Sequence, residues 1–215
     1  MILVVLLTGL YTEIRSQPES RAEFGIKGGL NVAGLGVQGR GERNLTHGFH
    51  AGIFYIFPLI GRFGFQPEIM YSTRGARIIY DDEFLSAQTF NIIEAESIFD
   101  LAYIDILLSL SFRLYDQVSV SFGPYMGFLL NAKVDAGTGV LEFLNINDAG
   151  EIQRRDFKSR DYGISAGLGM DFYSYSFGLR YNLGLSRVAV ENTIPGILLG
   201  NAENMLLQVY FALRF

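Results

Sequence analysis

The last eleven residues, Met205-Leu206-Leu207-Gln208-Val209-Tyr210-Phe211-Ala212-Leu213-Arg214-Phe215, alternate without a break. Met205, Leu207, Val209, Phe211, Leu213 and Phe215 fall on one side, and Leu206, Gln208, Tyr210, Ala212 and Arg214 on the other. Successive Cβ atoms of an extended chain point to opposite faces, so the stretch predicts a strand lying between two different environments. In a soluble sandwich the apolar face would look inward. The apolar set here is large and unbroken and the other set carries an arginine, which raises the second possibility, an oily face turned to lipid.

The rest of the chain repeats the pattern. Apolar sets recur at Phe24 to Leu30 (against Lys27 and Asn31), Phe49 to Phe57 (against His50 and Gly52) and Phe63 to Tyr71 (against Gln66, Glu68, Ser72 and Arg74). They recur again at Ile104 to Phe112 (against Asp105, Ser109, Ser111 and Arg113), Val118 to Phe128 (against Ser119, Ser121, Gly123, Tyr125 and Gly127), Tyr162 to Phe172 (against Asp161, Ser165, Gly167 and Asp171) and Phe177 to Leu185 (against Arg180 and Asn182). With the closing stretch these predict eight strands, each about ten residues long, the length a tilted strand needs to cross a hydrocarbon core. The connections sort by size. Those at 58–62, 115–116 and 173–175 are tight, while those near 32–47, 75–100, 132–160 and 187–203 are long. Strict alternation of short and long connections predicts an all-β, eight-stranded antiparallel up-and-down transmembrane barrel, with tight periplasmic turns, long external loops and both termini periplasmic. Pro67 and Pro124 lie inside strands, where a missing N–H costs a ladder bond, and predict local bulges.

Composition narrows the function. A net charge of -5 carries no basic excess and argues against nucleic acid as a partner. The absence of cysteine excludes disulfides, a thiol nucleophile and a lipoprotein anchor, and two histidines leave little for metal chemistry. No run of 18 apolar residues could cross a bilayer as a helix. Ile2 to Leu10 is an apolar run of secretory length followed by polar residues up to Glu23, so residues 1–22 read as signal peptide and leader and 23–215 as the barrel domain. No Lys or Arg precedes that run and no A-x-A site follows closely, the small-residue candidates being Ser16 and Ser20-Arg21-Ala22. A first buried strand or short helix is the alternative.

With the apolar faces in lipid, the inward face holds Lys27, Glu68, Arg74, Asp105, Arg113, Asp171, Arg180 and Arg214. An eight-stranded barrel is only wide enough inside for its own side chains, so these charges are expected to pair and plug the lumen, with Glu68 as hub between Lys27 and Arg180 at mid-depth. A proton or ion path along them is the alternative. His47 and His50, three apart in an extended segment, point to opposite faces and do not form a joint metal site. Asp81, Asp82, Glu83, Asp135, Asp148 and Asp161 belong to the external regions, and no base with an orienting partner stands among them, so no catalytic, metal or cofactor residue is assigned. Asn44-Leu45-Thr46 matches a glycosylation triplet and Gly34 to Gly39 a nucleotide loop, but the first is uninformative and the second has no helix behind it.

FGIKGGLNVAGL (24–35), GFHAGIFYIFPL (48–59), FGFQPEIMYSTRGAR (63–77), YIDILLSLSF (103–112), VSVSFGPYMGFLLNAKV (118–134), DYGISAGLGMDF (161–172) and FGLRYNLGLSRV (177–188) resemble the small outer-membrane barrels of the PorT type. The resemblance implies an eight-stranded barrel in a Gram-negative outer membrane and, through the founding type, an association with protein secretion. Ile106-Leu107 stands where relatives often have a proline, and no Trp is present, so Tyr and Phe must supply the aromatic girdle. Such barrels end in an alternating strand with a terminal aromatic that the assembly machinery reads, which casts Leu207, Val209, Phe211, Leu213 and Phe215 as an assembly signal. The expected partners are outer-membrane lipid, the barrel assembly machinery and an envelope or secretion complex. The expected role is structural or interactive. A lipocalin-type ligand-binding barrel, a narrow porin-like transport protein and a rim enzyme acting through His50 are the other readings.

Overall fold

The computed structural model describes residues 22–36, 42–80, 95–136, 154–190, 193–199 and 201–215. Residues 1–21 of the expected leader, and Asp81, Asp82, Glu83 and Asp148 among the expected loop acids, lie outside the described residues. Among the described residues nine strands form: β1 (Glu23–Gly36), β2 (Glu42–Asn44), β3 (Thr46–Pro58), β4 (Phe63–Tyr80), β5 (Ala95–Arg113), β6 (Val118–Ala136), β7 (Arg160–Asp171), β8 (Tyr175–Arg187) and β9 (Glu203–Arg214). β2 and β3 are one stave of the wall, since both pair with β4. Asn44 stands opposite Arg77 and His50 opposite Ser72, so six residues on this stave face five on β4, the two-against-one count of a bulge. The eight staves are antiparallel neighbours, β1 pairs with β9, and β4 pairs with β5, which closes the barrel.

Closure follows from the two faces. The alternating strands turn Ile53, Ile69, Ile106, Leu108, Phe122, Leu168, Leu179 and Val209 outward, each more than a third exposed, and turn Phe54, Met70, Leu107, Tyr125, Leu206 and Ala212 inward, where they are buried. The apolar residues of the lipocalin reading therefore do not line a cavity; they cover the outside. Phe63 and Phe112 (ring centroids 4.8 Å apart), Phe172 and Tyr175 (4.9 Å) and Phe24 and Phe215 (6.5 Å) ring the end that carries the tight turns, and Phe49 and Tyr71 (5.7 Å) stand near the other. Gly61 turns the β3–β4 connection at φ 68°, a left-handed conformation that glycine adopts without a Cβ clash.

Two expectations need correction. Apart from the three-residue β2, the strands are 12 to 19 residues long rather than about ten, because β4, β5 and β6 continue past the apolar belt into the loop end as paired ribbons. Pro67 and Pro124 make no bulge. β4 and β5 keep one register from Phe63↔Phe112 to Tyr80↔Ala95, through Pro67, and β6 and β7 keep theirs through Pro124. On the other side of each proline the pairing skips two positions and resumes in the same register, Phe54↔Glu68 to Phe57↔Phe65 and Leu107↔Tyr125 to Leu110↔Phe122. An antiparallel residue aims its N–H at one neighbour only, so a proline interrupts one ladder and leaves the count intact. The register shifts fall elsewhere, at Ala102/Tyr103 of β5 and between Leu183 and Arg187 of β8.

At the loop end, a 3-10 turn at Arg154–Asp156 and a short helix α1 (Ile194–Leu199) lie between strands, α1 being capped by the Thr193 hydroxyl, which accepts from the Gly196 N–H at 3.2 Å. Phe157 packs edge-on against inward-facing Phe99, and Leu199 and Ala202 are buried as well, so apolar side chains are buried at this end.

Candidate functional site: a lumen closed by two ionic clusters

Parity sends the charged residues inward, and the stagger of the strands decides which of them meet. Near the turn end, Lys27 of β1 has Gly52 on one side and Ala212 on the other, two small residues that leave room for its side chain to cross the lumen. Its Nζ donates to both oxygens of Glu68 on β4 (3.0 and 3.1 Å). Arg180, from β8 on the opposite wall, donates Nη1 to Glu68 Oε2 at 2.9 Å and Nη2 to Oε1, and Gln66 Nε2 donates to Oε1 at 2.8 Å. Glu68 thus accepts from one lysine, both prongs of one arginine and one amide. The Tyr210 ring lies 4.5 Å from Lys27 Nζ and 5.7 Å from the Arg180 guanidinium, a cation–π arrangement for both. Gly178 and Gly169 make room for that ring, since a Cβ at either would stand within 2.8 Å of Tyr210 Oη.

Six residues further along β4, roughly 20 Å of strand, Arg74 anchors a second cluster. Its guanidinium binds Asp105 of β5 through Nη2 and Asp161 Oδ2 of β7 through Nη1 at 2.9 Å. Asp105, Gly127 and Asp161 are successive partners across β5, β6 and β7, and a Cβ on Gly127 would sit 2.6 Å from Asp105 Oδ1. The missing side chain lets two carboxylates converge on one arginine. Tyr125 Oη (3.1 Å), Ser186 Oγ (2.8 Å) and Asn204 Nδ2 (3.0 Å) donate to Asp161, and Tyr103 lies 4.3 Å beneath the Arg74 guanidinium. Between the clusters runs a neutral layer: Asn31 Oδ1 bonds His50 Nδ1 at 2.7 Å and accepts from Gln208 Nε2 at 3.0 Å, and Asn182 Nδ2 donates to Gln208 Oε1 at 3.2 Å.

The first cluster holds two cations and one carboxylate, the second one cation and two carboxylates, so the charges balance across the lumen as a whole. A continuous water channel would wet the side chains it passes. Lys27, Glu68, Arg74, Asp105, Asp161 and Arg180 are each 5% exposed or less. A cavity of about 110 Å³ opens at the turn end, and Lys27 and Arg180 form its inner wall.

Of the residues assigned from sequence, Lys27, Glu68 and Arg180 come together, and Arg74 and Asp105 form part of a separate cluster. Arg113 does not join either: it is exposed at the turn-end mouth, because inward parity there points a side chain into open solvent. Arg214 and Asp171 stand at the same mouth, 3.9 Å apart, with Glu23 3.3 Å from Arg214. Asp161, placed among the external acids, is 3% exposed and central to the Arg74 cluster. Its parity with Ser165 and Asp171 was the signal for that. Asn31, His50, Tyr125 and Gln208 were likewise legible only as inward positions, and Asn204 precedes the stretch read as the closing strand. His50 is buried and His47 exposed, on opposite faces. Among the described residues no group of three or more His, Asp or Glu could hold a metal.

Residues 15–190 match the family described as outer membrane protein beta-barrel domain, which covers well over half of the chain. The chain belongs to that family. Its architecture is that of known outer-membrane barrels: OprG from Pseudomonas aeruginosa is 13% identical over 90% of this chain and 96% of its own, with a TM-score of 0.50. Neisserial surface protein A is 14% identical over 91% and 100% (TM-score 0.49), and the attachment invasion locus protein Ail of Yersinia pestis 12% identical over 91% and 99% (TM-score 0.47). At these identities the likeness is one of fold. No curated protein matches the chain in sequence.

With the outer membrane as solvent for the outward faces, a charge placed there must be buried in hydrocarbon. Ile106→Arg and Leu179→Arg are each expected to destabilise the inserted barrel by about 2–4 kcal/mol near the midplane. Ser109→Arg, facing the filled lumen, is expected to fail through crowding instead. A folding titration in lipid vesicles checks this, and equal tolerance of all three would mean that the faces are misassigned.

Proposed function

We propose that this outer-membrane barrel works through its surfaces and not through its lumen, as a structural or interaction protein of the PorT kind attached to a secretion or envelope-assembly complex. The tight turns and both termini then face the periplasm and the long loops the exterior. The observation that carries this reading is the filled interior, with six charges buried in two clusters. A filled barrel offers partners only its rims and outer wall. The assembly signal read at Leu207, Val209, Phe211 and Leu213 fits their outward position on β9, and Phe215 is exposed just past its end.

Reconstituted into planar bilayers, the protein is expected to show no steady conductance, and a stable open pore would favour the porin-like alternative. Crosslinked envelopes, followed by capture of the barrel, are expected to yield stoichiometric components of an export or assembly machine. Recovery of lipid alone would remove the interaction role.

A further inference from the structure

The cavity at the turn end stays open because of what stands on one wall. Arg113, Ser119, Gly169, Gly178 and Tyr210 are successive partners across β5 to β9. One level deeper, Gly64, Ser111, Ser121, Gly167 and Arg180 are successive partners across β4 to β8. All ten positions have inward parity, and in an eight-stranded barrel it is the inward side chains that fill the interior. Apart from Arg113, Tyr210 and Arg180, the two rows hold only glycine and serine. A Cβ on Gly64 would stand 2.7 Å from Ser111 Oγ, and one on Gly167 2.6 Å from Ser121 Oγ, so each hydroxyl lies over the glycine beside it and the wall presents O–H groups to the space.

The groups around that space are cationic. Lys27 and Arg180 close its inner end, Arg62, Arg113 and Arg214 stand nearer its mouth, and the carboxylates in its lining are Glu23 and Asp171. Glu68, bonded to Lys27 and Arg180, is a third. Five cations against three carboxylates leave two positive charges uncompensated, in a chain whose net charge is -5. Acceptors run short as well: Arg180, 2% exposed, and Arg214 each keep a buried Nε–H without a hydrogen-bond partner among the described residues.

At about 110 Å³ the cavity holds one chemical group, since pockets for whole drug-sized ligands run from about 300 Å³ upward. A carboxylate brings one negative charge and two oxygens. A phosphate group brings about -1.5 to -2 at neutral pH and acceptor oxygens pointing in several directions, which matches both the surplus charge and donors that stand on different strands. We propose that the turn-end cavity binds one phosphate group, as inorganic phosphate or the head of a small phosphomonoester, with the Arg113 guanidinium and the Ser119 and Ser121 hydroxyls as its donors. Lys27 and Arg180 stay on Glu68 and act through their field. The site ends at that inner wall and leaves the lumen behind it filled, and it rests neither on the partner role nor on the orientation of the barrel in the membrane.

The test is equilibrium dialysis of the full chain, refolded in non-ionic detergent, against radiolabelled inorganic phosphate at constant ionic strength, with unlabelled glycerol phosphate and acetate as competitors. Saturable binding of one phosphate per barrel is expected, with acetate a much poorer competitor. Arg113→Gln should weaken binding on the order of tenfold, the loss of one charge-assisted hydrogen bond. Ser119→Ala with Ser121→Ala should weaken it too, and Ser121→Leu, which fills the space, should abolish it. Lys158→Gln, at the opposite end of the barrel, should bind as the parent does. Heat-modifiable gel mobility reports the folding of each variant, and because Arg113 is exposed its variant carries the test even if the filled one does not fold. Competition by glycerol phosphate as strong as that by unlabelled phosphate assigns the site to a phosphomonoester, and competition by phosphate alone to the free ion; either supports the site. No saturable binding, parent-strength binding by Arg113→Gln, an equal loss in Lys158→Gln, or acetate competing as well as phosphate overturns it.

Discussion

Deleting Met205 to Phe215 is expected to leave no folded barrel. β9 pairs with β1 from Gly25↔Arg214 to Gly36↔Glu203 and with β8 from Tyr175↔Leu213 to Arg187↔Glu203, so its loss strips two edges at once. Each backbone N–H or C=O left unpaired in hydrocarbon costs several kcal/mol, about the whole stability of a typical domain after a few such groups. No neighbouring strand is free to close the gap. Deleting Phe215 alone removes one backbone bond, from its N–H to Phe24 O at 2.8 Å, and the ring contact with Phe24. That amounts to about 1–2 kcal/mol for one hydrogen bond and one aromatic pair at the rim. Refolding into detergent, followed by heat-modifiable gel mobility, should therefore show no compact band for the long deletion and a nearly normal one for the short. In cells the Phe215 deletion should assemble poorly if the terminal aromatic is read as an address. Assembly at the parent level would leave Phe215 as only a lipid-facing side chain.

The second large effect is expected inside. Among the described residues Glu68 is the one carboxylate bonded to Lys27 and Arg180, so Glu68→Ala leaves two buried cations facing each other and Gln66 without its acceptor. Breaking a buried pair in this way costs about 3–5 kcal/mol, because the desolvated charge that remains has nothing to offset it. Removing the whole triad behaves differently: Lys27→Met, Glu68→Leu and Arg180→Met together should come out near the parent or more stable, since an apolar filling of similar volume carries no desolvation penalty. Urea unfolding in vesicles should rank the combined variant at or above the parent and both above Glu68→Ala. A Glu68→Ala midpoint equal to the parent's would mean that Glu68 is not the counter-charge in the folded barrel. Asp161→Asn should cost less than Glu68→Ala, because Arg74 keeps Asp105.

Alternation along the chain was enough to show how many staves the wall has, which side of each is oily, and that Lys27, Glu68, Arg74, Asp105 and Arg180 point inward. These are local properties: a two-residue period assigns a face to every residue whatever the strand pairs with. Face is not depth, and it is not company. Asp161 has inward parity yet reads as a loop acid until β7 is seen to begin at Arg160 and to set Asp161 level with Asp105 across Gly127. Arg113 has inward parity too, but it stands where the barrel opens to solvent. The partition into a Glu68 cluster and an Arg74 cluster depends on how far each strand is staggered against the next. That stagger is settled only when the sheet closes and every strand must satisfy both of its neighbours at once.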